Sequence, residues 1–348
     1  MTDTDRYDVH THVVPPELPL VAARTAAADN RWAGLRHDRA RPTTADVIVA
    51  GRVFRTIRDV AYDFTARRAE MERDQVRGQL LSPMPELFAT WAPAGAARDH
   101  ARAFNVWLAA EVAAGADAFR GLGLVPVQAP ELMASLLTEA KELGLSGVEI
   151  PCTGPDAPLH DSRYEEFFAQ AEALGMLVFL HSVGNLVAFS NQLAGSAAVF
   201  PARIGEAVAG LIANGVLERH PRLSLLVSHA GGGLPASLAR LEFVRGMSPA
   251  IDEIAPLPGA TYAARLWFDH LAFDAELLRG LAALVGTDRI VFGSDYPFLA
   301  GDVESVLRHP VLPEHLDRAV RLDNPQRLFG SLPTPHSAGT PVKEGTPS

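Results

Sequence analysis

Four histidines and one aspartate close short apolar runs in this 348-residue chain. His10 ends RYDVH and His12 follows two residues on; His181 ends MLVFLH, His229 ends LSLLVSH, and Asp295 follows RIVFGS. Alternation along a strand turns His10 and His12 to one side, so both imidazoles can converge on a single ion. A lone histidine on an apolar strand is most often a satisfied core residue, and an HxH pair alone is weak evidence of ligation. Five such residues at strand ends are another matter, because the C-terminal ends of barrel strands are where active sites sit.

The elements that must position them are short and almost wholly apolar, as strands buried on both faces are. Strands are expected at 6–10, 77–82, 121–126, 146–150, 176–181, 223–229, 265–269 and 289–294. Amphipathic helices at 131–143 and 163–174 end at Gly144 and Gly175, residues suited to a helix C-terminus. Eight runs alternating with helices predict an α/β fold, a closed parallel (β/α)₈ barrel of the TIM type. The competing architecture, a doubly wound open sheet, lacks support because no Gly-rich phosphate loop follows an early strand. A single domain is expected over 1–330, with residues 13–60 inserted after the first strand as a cap over the barrel mouth. The Pro/Ser/Thr/Gly-rich residues 331–348 lack a hydrophobic pattern and are expected to be disordered.

Bulk composition narrows the partners. The formal charge of −10 argues against nucleic acid or an anionic membrane, which select concentrated Lys and Arg. Basic residues are nearly all arginine, the lysines being Lys141 and Lys343 alone. One cysteine, Cys152, excludes an internal disulfide framework and fits a reducing cytoplasm; no secretory signal is expected from MTDTDRYDVH. The uncharged stretch from Ala173 to Ala202 is interrupted by Gly and polar residues and is expected to be a buried strand and loop rather than a membrane span.

DVHTH, LHSVG, SHAGGG and FGSDYPF resemble the metal-binding signatures of the amidohydrolase superfamily. Within it the chain is similar to aminocarboxymuconate-semialdehyde decarboxylase and its relatives. Supporting segments are GRVFRTIRD, LLSPMPELFATWAP, GLGLVPVQAPEL, NGVLERHPRLSLLVSHAGGGLP and NPQRLF. The likeness spans about residues 6–330; FGSDYPF and SHAGGG carry its specificity. It implies that His10, His12, His181 and Asp295 hold a metal and that His229 is the catalytic acid/base beside the metal's water, with Asp295 sharing in proton transfer. Three neutral imidazoles and a carboxylate suit Zn²⁺, one per chain, with Mn²⁺ or another divalent transition metal as the alternative. Many superfamily members bridge two metals through a carbamylated lysine at the end of strand four. That strand here reads SGVEIPC with no lysine nearby, so one ion is expected. Glu149 or Cys152 are the other candidates for bridging a second ion; otherwise Glu149 pairs with an arginine and Cys152 acts as a small buried hydrophobe.

The resemblance also aligns Arg55 and Arg240 with two arginines that grip the substrate carboxylate, the second donated by a neighbouring subunit, which implies a homodimer. The guanidinium fork suits that task. Departures fall on the substrate wall. Pro-Trp-Asp after the strand-five histidine becomes Ser182, Val183 and Gly184, a pocket tryptophan is missing from 182–200, and a cap lysine is replaced by Val49. The implied activity is non-oxidative decarboxylation of a small unsaturated or aromatic carboxylic acid. The rivals are a metal-dependent hydrolase or hydratase using the same site, and a metal-containing binding protein without turnover.

Overall fold

The computed structural model describes residues 5–20, 30–183, 192–298 and 317–329. The terminal segment 331–348, part of the expected cap (21–29) and residues 184–191 lie outside the described residues. Eight parallel strands form one sheet in the order β1 (Arg6–Val13), β5 (Val76–Pro83), β6 (Phe119–Leu124), β7 (Gly147–Pro151), β8 (Leu177–His181), β9 (Leu225–Val227), β10 (Trp267–Asp269) and β11 (Ile290–Val291). Residues beyond β11 return to β1: Val9 N–H donates to Phe292 O (2.9 Å), His12 N–H donates to Tyr296 O (2.6 Å), and Thr11 bridges Tyr296 in parallel. Those bonds shut the sheet into a barrel.

The barrel wall has two apolar sides, as strands buried on both faces require. Val9, Leu80, Leu122, Leu177, Phe179, Leu226, Trp267 and Val291 make the inner cluster, drawn from seven of the eight strands. Val148, Ile150, Val178, Leu180, Leu225 and Val227 belong to the outer core beneath the helices. Alternation therefore sends Leu177, Phe179 and His181 to one side of β8 and Val178 and Leu180 to the other. A register irregularity in β1 between Asp8 and Thr11 accommodates Val9 in the inner layer beside the HxH pair.

Around this wall lie α1 (Phe64–Arg73), α2 (Ala94–Ala114), α3 (Pro130–Glu142), α4 (Glu165–Leu174), α5 (Gln192–Ala213), α6 (Leu234–Arg245) and α7 (Ala275–Val285). Helix α3 starts with proline and buries Met133, Leu136, Leu137 and Ala140 on one face, the 3–4 spacing its sequence predicts. Helix α4 stops at Gly175 in the left-handed conformation. Asp274 caps α7 by accepting from the Glu276 and Leu277 amides.

Three differences from the sequence reading have physical causes. First, β9, β10 and β11 are shorter than the apolar runs that contain them. His229 (φ 53°) and Asp295 (φ 56°) lie beyond the strands, since a strand cannot hold a positive φ. Second, the stretch Ala173–Ala202 is strand β8 followed, from Gln192, by helix α5 rather than loop. Residues Ala194–Ala213 are long and apolar enough to cross a membrane by length and composition alone; here α5 packs on α6 and buries Ile204, Val208, Leu211 and Ile212. Third, the inserted segment holds an antiparallel sheet of its own, β2 (Gly34–His37), β3 (Thr44–Val49) and β4 (Arg52–Arg58).

Candidate metal centre and active site

His10, His12, His181 and Asp295 come together, with one potential ligand atom from each lying within 4.8 Å of all the others. His10 Nε2 and His12 Nε2 are 3.2 Å apart, and Asp295 Oδ1 lies 3.4 Å and 3.0 Å from them. Ligands about 2.0–2.1 Å from one ion in a tetrahedral site stand roughly 3.3 Å apart, so the spacing of these three fits. Polar satisfaction gives an independent test. Both ring nitrogens of His181 and Asp295 Oδ1 are buried without a well-formed hydrogen bond among the described residues, which native proteins rarely tolerate unless something else binds there. The donor set of imidazoles and a carboxylate suits a divalent transition metal over Mg²⁺ or Ca²⁺. The cluster is a divalent metal site.

Burial favours the neutral form that ligation needs at His181 and His10, while neighbouring carboxylates shift His12 the other way. Desolvation pushes His181 well below the ordinary histidine range, with His12, His10 and His229 adding to the effect, and lowers His10 as well. Burial also opposes the charge on Asp295, but the surrounding imidazoles hold its carboxyl well below the usual range. Burial likewise disfavours a charged His12, yet Glu149 and Asp295 raise it. Deprotonated nitrogen and carboxylate are the forms that ligate.

Behind the ligands stands a support the sequence reading missed. Asp269, at the end of β10, accepts from His10 Nδ1 (2.7 Å) and from the amides of His229 (2.8 Å), Ala230 (2.7 Å) and Leu271 (3.1 Å). The first bond fixes the tautomer that turns the His10 Nε2 lone pair toward the cluster. The amide bonds hold the turn that carries His229. A signal was present, an acid closing the apolar run RLWFD, but its partner lies 259 residues away. His12 is fixed likewise by Pro83 O, 3.0 Å from Nδ1. The fully buried Arg67 donates to His12 O (3.1 Å) and Val60 O (3.0 Å) and lies over Tyr296.

Glycines permit the close approaches. A Cβ on Gly232, at φ +50°, would stand 2.6 Å from Pro201 Cα in α5; one on Gly293 would stand 2.7 Å from His10 Cβ. Asp8 accepts from the Ser294 amide (3.0 Å) and hydroxyl, tying the FGSDYPF loop to β1. His229, Ala230 and Asp295 all hold positive φ without being glycine, strain of the kind that collects at functional sites.

Glu149 pairs with no arginine among the described residues. Its oxygens lie 3.8 Å from His12 Nδ1 and 3.6 Å from His181 Nδ1, behind the His12 ring rather than on its Nε2 side, and burial raises its pKa to about 8. Cys152 is buried with Sγ donating to His181 O (3.1 Å), and burial pushes its thiol up to about 12, which suits a small hydrophobe.

His229 and Asp295 face a cavity of ≈ 380 Å³ that the other three clustered residues do not line. His229 Nε2 lies 3.8 Å from Asp295 Oδ2, and Nδ1 lies 3.2 Å from Ser228 Oγ. Phe200 stacks on His229 and Phe298 on His12, aromatic covers that sequence reasoning did not single out. Arg55, on β4, reaches the same mouth: its guanidinium lies 4.4 Å over Phe298 and pairs with Glu86 at 2.7 Å. Arg240 is exposed on α6, with no hydrogen bond to the cluster residues and no ion pair among the described residues. Two acids on α6 and the neighbouring α5 are engaged elsewhere: Glu242 accepts from the Gly259 amide and faces Arg245, and Glu206 faces Arg203.

Comparison with known proteins agrees with this architecture. The 2-amino-3-carboxymuconate-6-semialdehyde decarboxylase of Dictyostelium discoideum is 30% identical over 303 residues, covering 86% of this chain and 83% of that protein. The gamma-resorcylate decarboxylase of Rhodococcus jostii is 28% identical over 230 residues, 58% of this chain and 67% of its own length. Among solved structures, dihydroxybenzoic acid decarboxylase from Polaromonas sp. JS666, with bound manganese and the inhibitor 2-nitroresorcinol, superposes with a TM-score of 0.73 at 22% identity, over 94% of this chain and 97% of that one. The amidohydrolase family model matches residues 7–331, and the chain belongs to that family.

Proposed function

We propose that the protein is a metal-dependent non-oxidative decarboxylase, a carbon–carbon lyase acting on a small unsaturated or aromatic carboxylic acid. The observation that carries this reading is the cavity whose ionisable groups are Asp295, a member of the four-residue metal cluster, and His229 beside it. His10, His12, His181 and Asp295 would hold one Zn²⁺, and a divalent ion there supplies Lewis-acid stabilisation of charge developing on the substrate. Arg55 offers its fork to the carboxylate, exchanging Glu86 for the substrate. His229, oriented through Nδ1 by Ser228, donates a proton from Nε2 to the carbon that loses its carboxylate. The electron pair of the breaking C–C bond stays on that carbon and takes the proton, so R–COO⁻ and H⁺ become R–H and CO₂. Asp295 Oδ2 faces His229 Nε2 and can pass on to it the proton that each turnover takes up from solvent. Phe200 and Phe298 keep water from the two rings they cover.

Arg240 is assigned to a second subunit's site, making the unit a homodimer. Its exposed position without a partner among the described residues supports this, as do the exposed Phe243 and Met247 on and just beyond the same helix. The lone buried thiol supports a cytoplasmic setting.

The test is a screen of ortho-hydroxylated aromatic and muconate-like acids for CO₂ release, with metal analysis of the same preparation. Release of CO₂ at one equivalent of metal per chain is expected. Products containing oxygen from labelled water with the carboxylate intact point to a hydrolase or hydratase, and activity that requires two equivalents overturns the single-ion site.

A further inference from the structure

Two ends of the site differ sharply in chemistry. At one end Arg55 lies over Phe298, which stacks on His12; this is where a carboxylate finds a cation. From His229 and Asp295 opens the ≈ 380 Å³ cavity, whose described lining includes neither Arg55 nor Phe298, between α5, the loop after β10 and α7. Its wall is made by Phe200, Pro201, Leu271, Phe273, Leu277 and Leu281. Beyond His229 and Asp295, no described lining residue carries a charge. Phe273 and Leu277 stand 57% and 66% exposed at its lip, and Phe273 holds φ 56°, a costly conformation for a bulky residue. Ser182 turns its hydroxyl to Phe200 O at 3.2 Å, so its polar group is spent on the α5 backbone rather than offered to a ligand.

We infer that the substrate is a monocarboxylic acid bearing an apolar alkyl or aryl substituent, which lies in this cavity while the carboxylate faces Arg55. The inference rests on the decarboxylase reading for the reaction, but the cavity defines the class of acid. The volume falls within the ordinary range for small-molecule sites, about 300–1,000 Å³. A second carboxylate on the substrate would enter a channel whose described lining holds no arginine or lysine, and desolvating it there is costly.

The test uses the metal-loaded full-length protein and a series of 2-hydroxybenzoates carrying hydrogen, methyl, propyl, phenyl or a second carboxylate on the ring. CO₂ release is followed, and binding of the matching phenols is measured by calorimetry. KM and the phenol dissociation constants are expected to fall about fourfold per buried methylene, with the diacid poorest. Leu277→Arg, at an exposed position that folding tolerates, is expected to raise KM for the propyl acid and lower it for the diacid. CO₂ release with KM indifferent to the substituent, or lowest for the diacid, overturns the inference and leaves decarboxylation standing. Phenols binding in the expected order with no CO₂ from any acid overturns the reaction and supports the cavity. Neither binding nor CO₂ overturns both.

Discussion

Replacing Asp269 with asparagine separates a ligand-positioning role from a merely structural one. The carboxylate accepts four hydrogen bonds: Oδ2 takes His10 Nδ1 and the His229 amide, and Oδ1 takes the Ala230 and Leu271 amides. Whichever way an amide lies, its NH₂ confronts two donors. Hydrogen bonds to charged groups contribute about 1.5–3 kcal/mol each, so losing two costs on the order of 3–6 kcal/mol. His10 can escape part of that by moving its proton to Nε2 and accepting through Nδ1. That escape puts a proton on the atom that faces His12 and Asp295, and ligation through it is blocked. Asp269→Asn should therefore weaken metal affinity about 10–100-fold, equivalent to about 1.4–2.7 kcal/mol, beyond any change in the metal-free fold. Competition against a chromogenic chelator measures the affinity, and thermal unfolding of metal-stripped protein measures the fold. Metal affinity and kcat/KM equal to wild type, with only the metal-free stability reduced, would refute the positioning argument.

Three further outcomes are expected. His229→Ala should lower kcat about 10²–10⁴-fold and keep its metal, whereas His181→Ala should lose the metal; metal analysis and rates on both variants check the roles, and the reverse pattern would exchange them. Burial holds His100 neutral, with a pKa lowered from 6.5 to about 4. Its stabilising contribution is complete above pH 6.5 and is lost as pH falls toward 4, because the unfolded chain binds the proton first, up to about 3 kcal/mol in all. Urea unfolding of wild type and His100→Gln across that window should show a shallower pH dependence in the variant; parallel curves would contradict the assignment. Arg240→Ala and His229→Ala subunits, each inactive alone, should regain activity when mixed, since one hybrid pocket keeps its own His229 and receives the partner's intact arginine. Hybrids that form without activity would place Arg240 outside the site.

Much of the fold was legible because its signals are local. All eight strands lie within the expected apolar runs or overlap them by most of their length, since burial on both faces leaves a continuous apolar segment that needs no knowledge of neighbours. Helices α3 and α4 were readable from side-chain spacing and from Gly144 and Gly175 beyond their ends. The gathering of His10, His12, His181 and Asp295 followed from their placement at strand ends, because a parallel barrel brings all those ends to one mouth. Their reading as ligands came from the motifs DVHTH and FGSDYPF. What only the tertiary structure decided is the set of partners behind and around them. Asp269 meets His10, Arg67 meets the His12 carbonyl, Glu149 lies behind the His12 ring and Phe200 covers His229, each through a contact between elements far apart in the chain. The positive φ of His229 and Asp295, and the early ends of β9 and β11 that go with it, are likewise set by contacts across the barrel. A local pattern records how deeply a residue is buried and in which repeat, but not which side chain from another strand closure will bring against it.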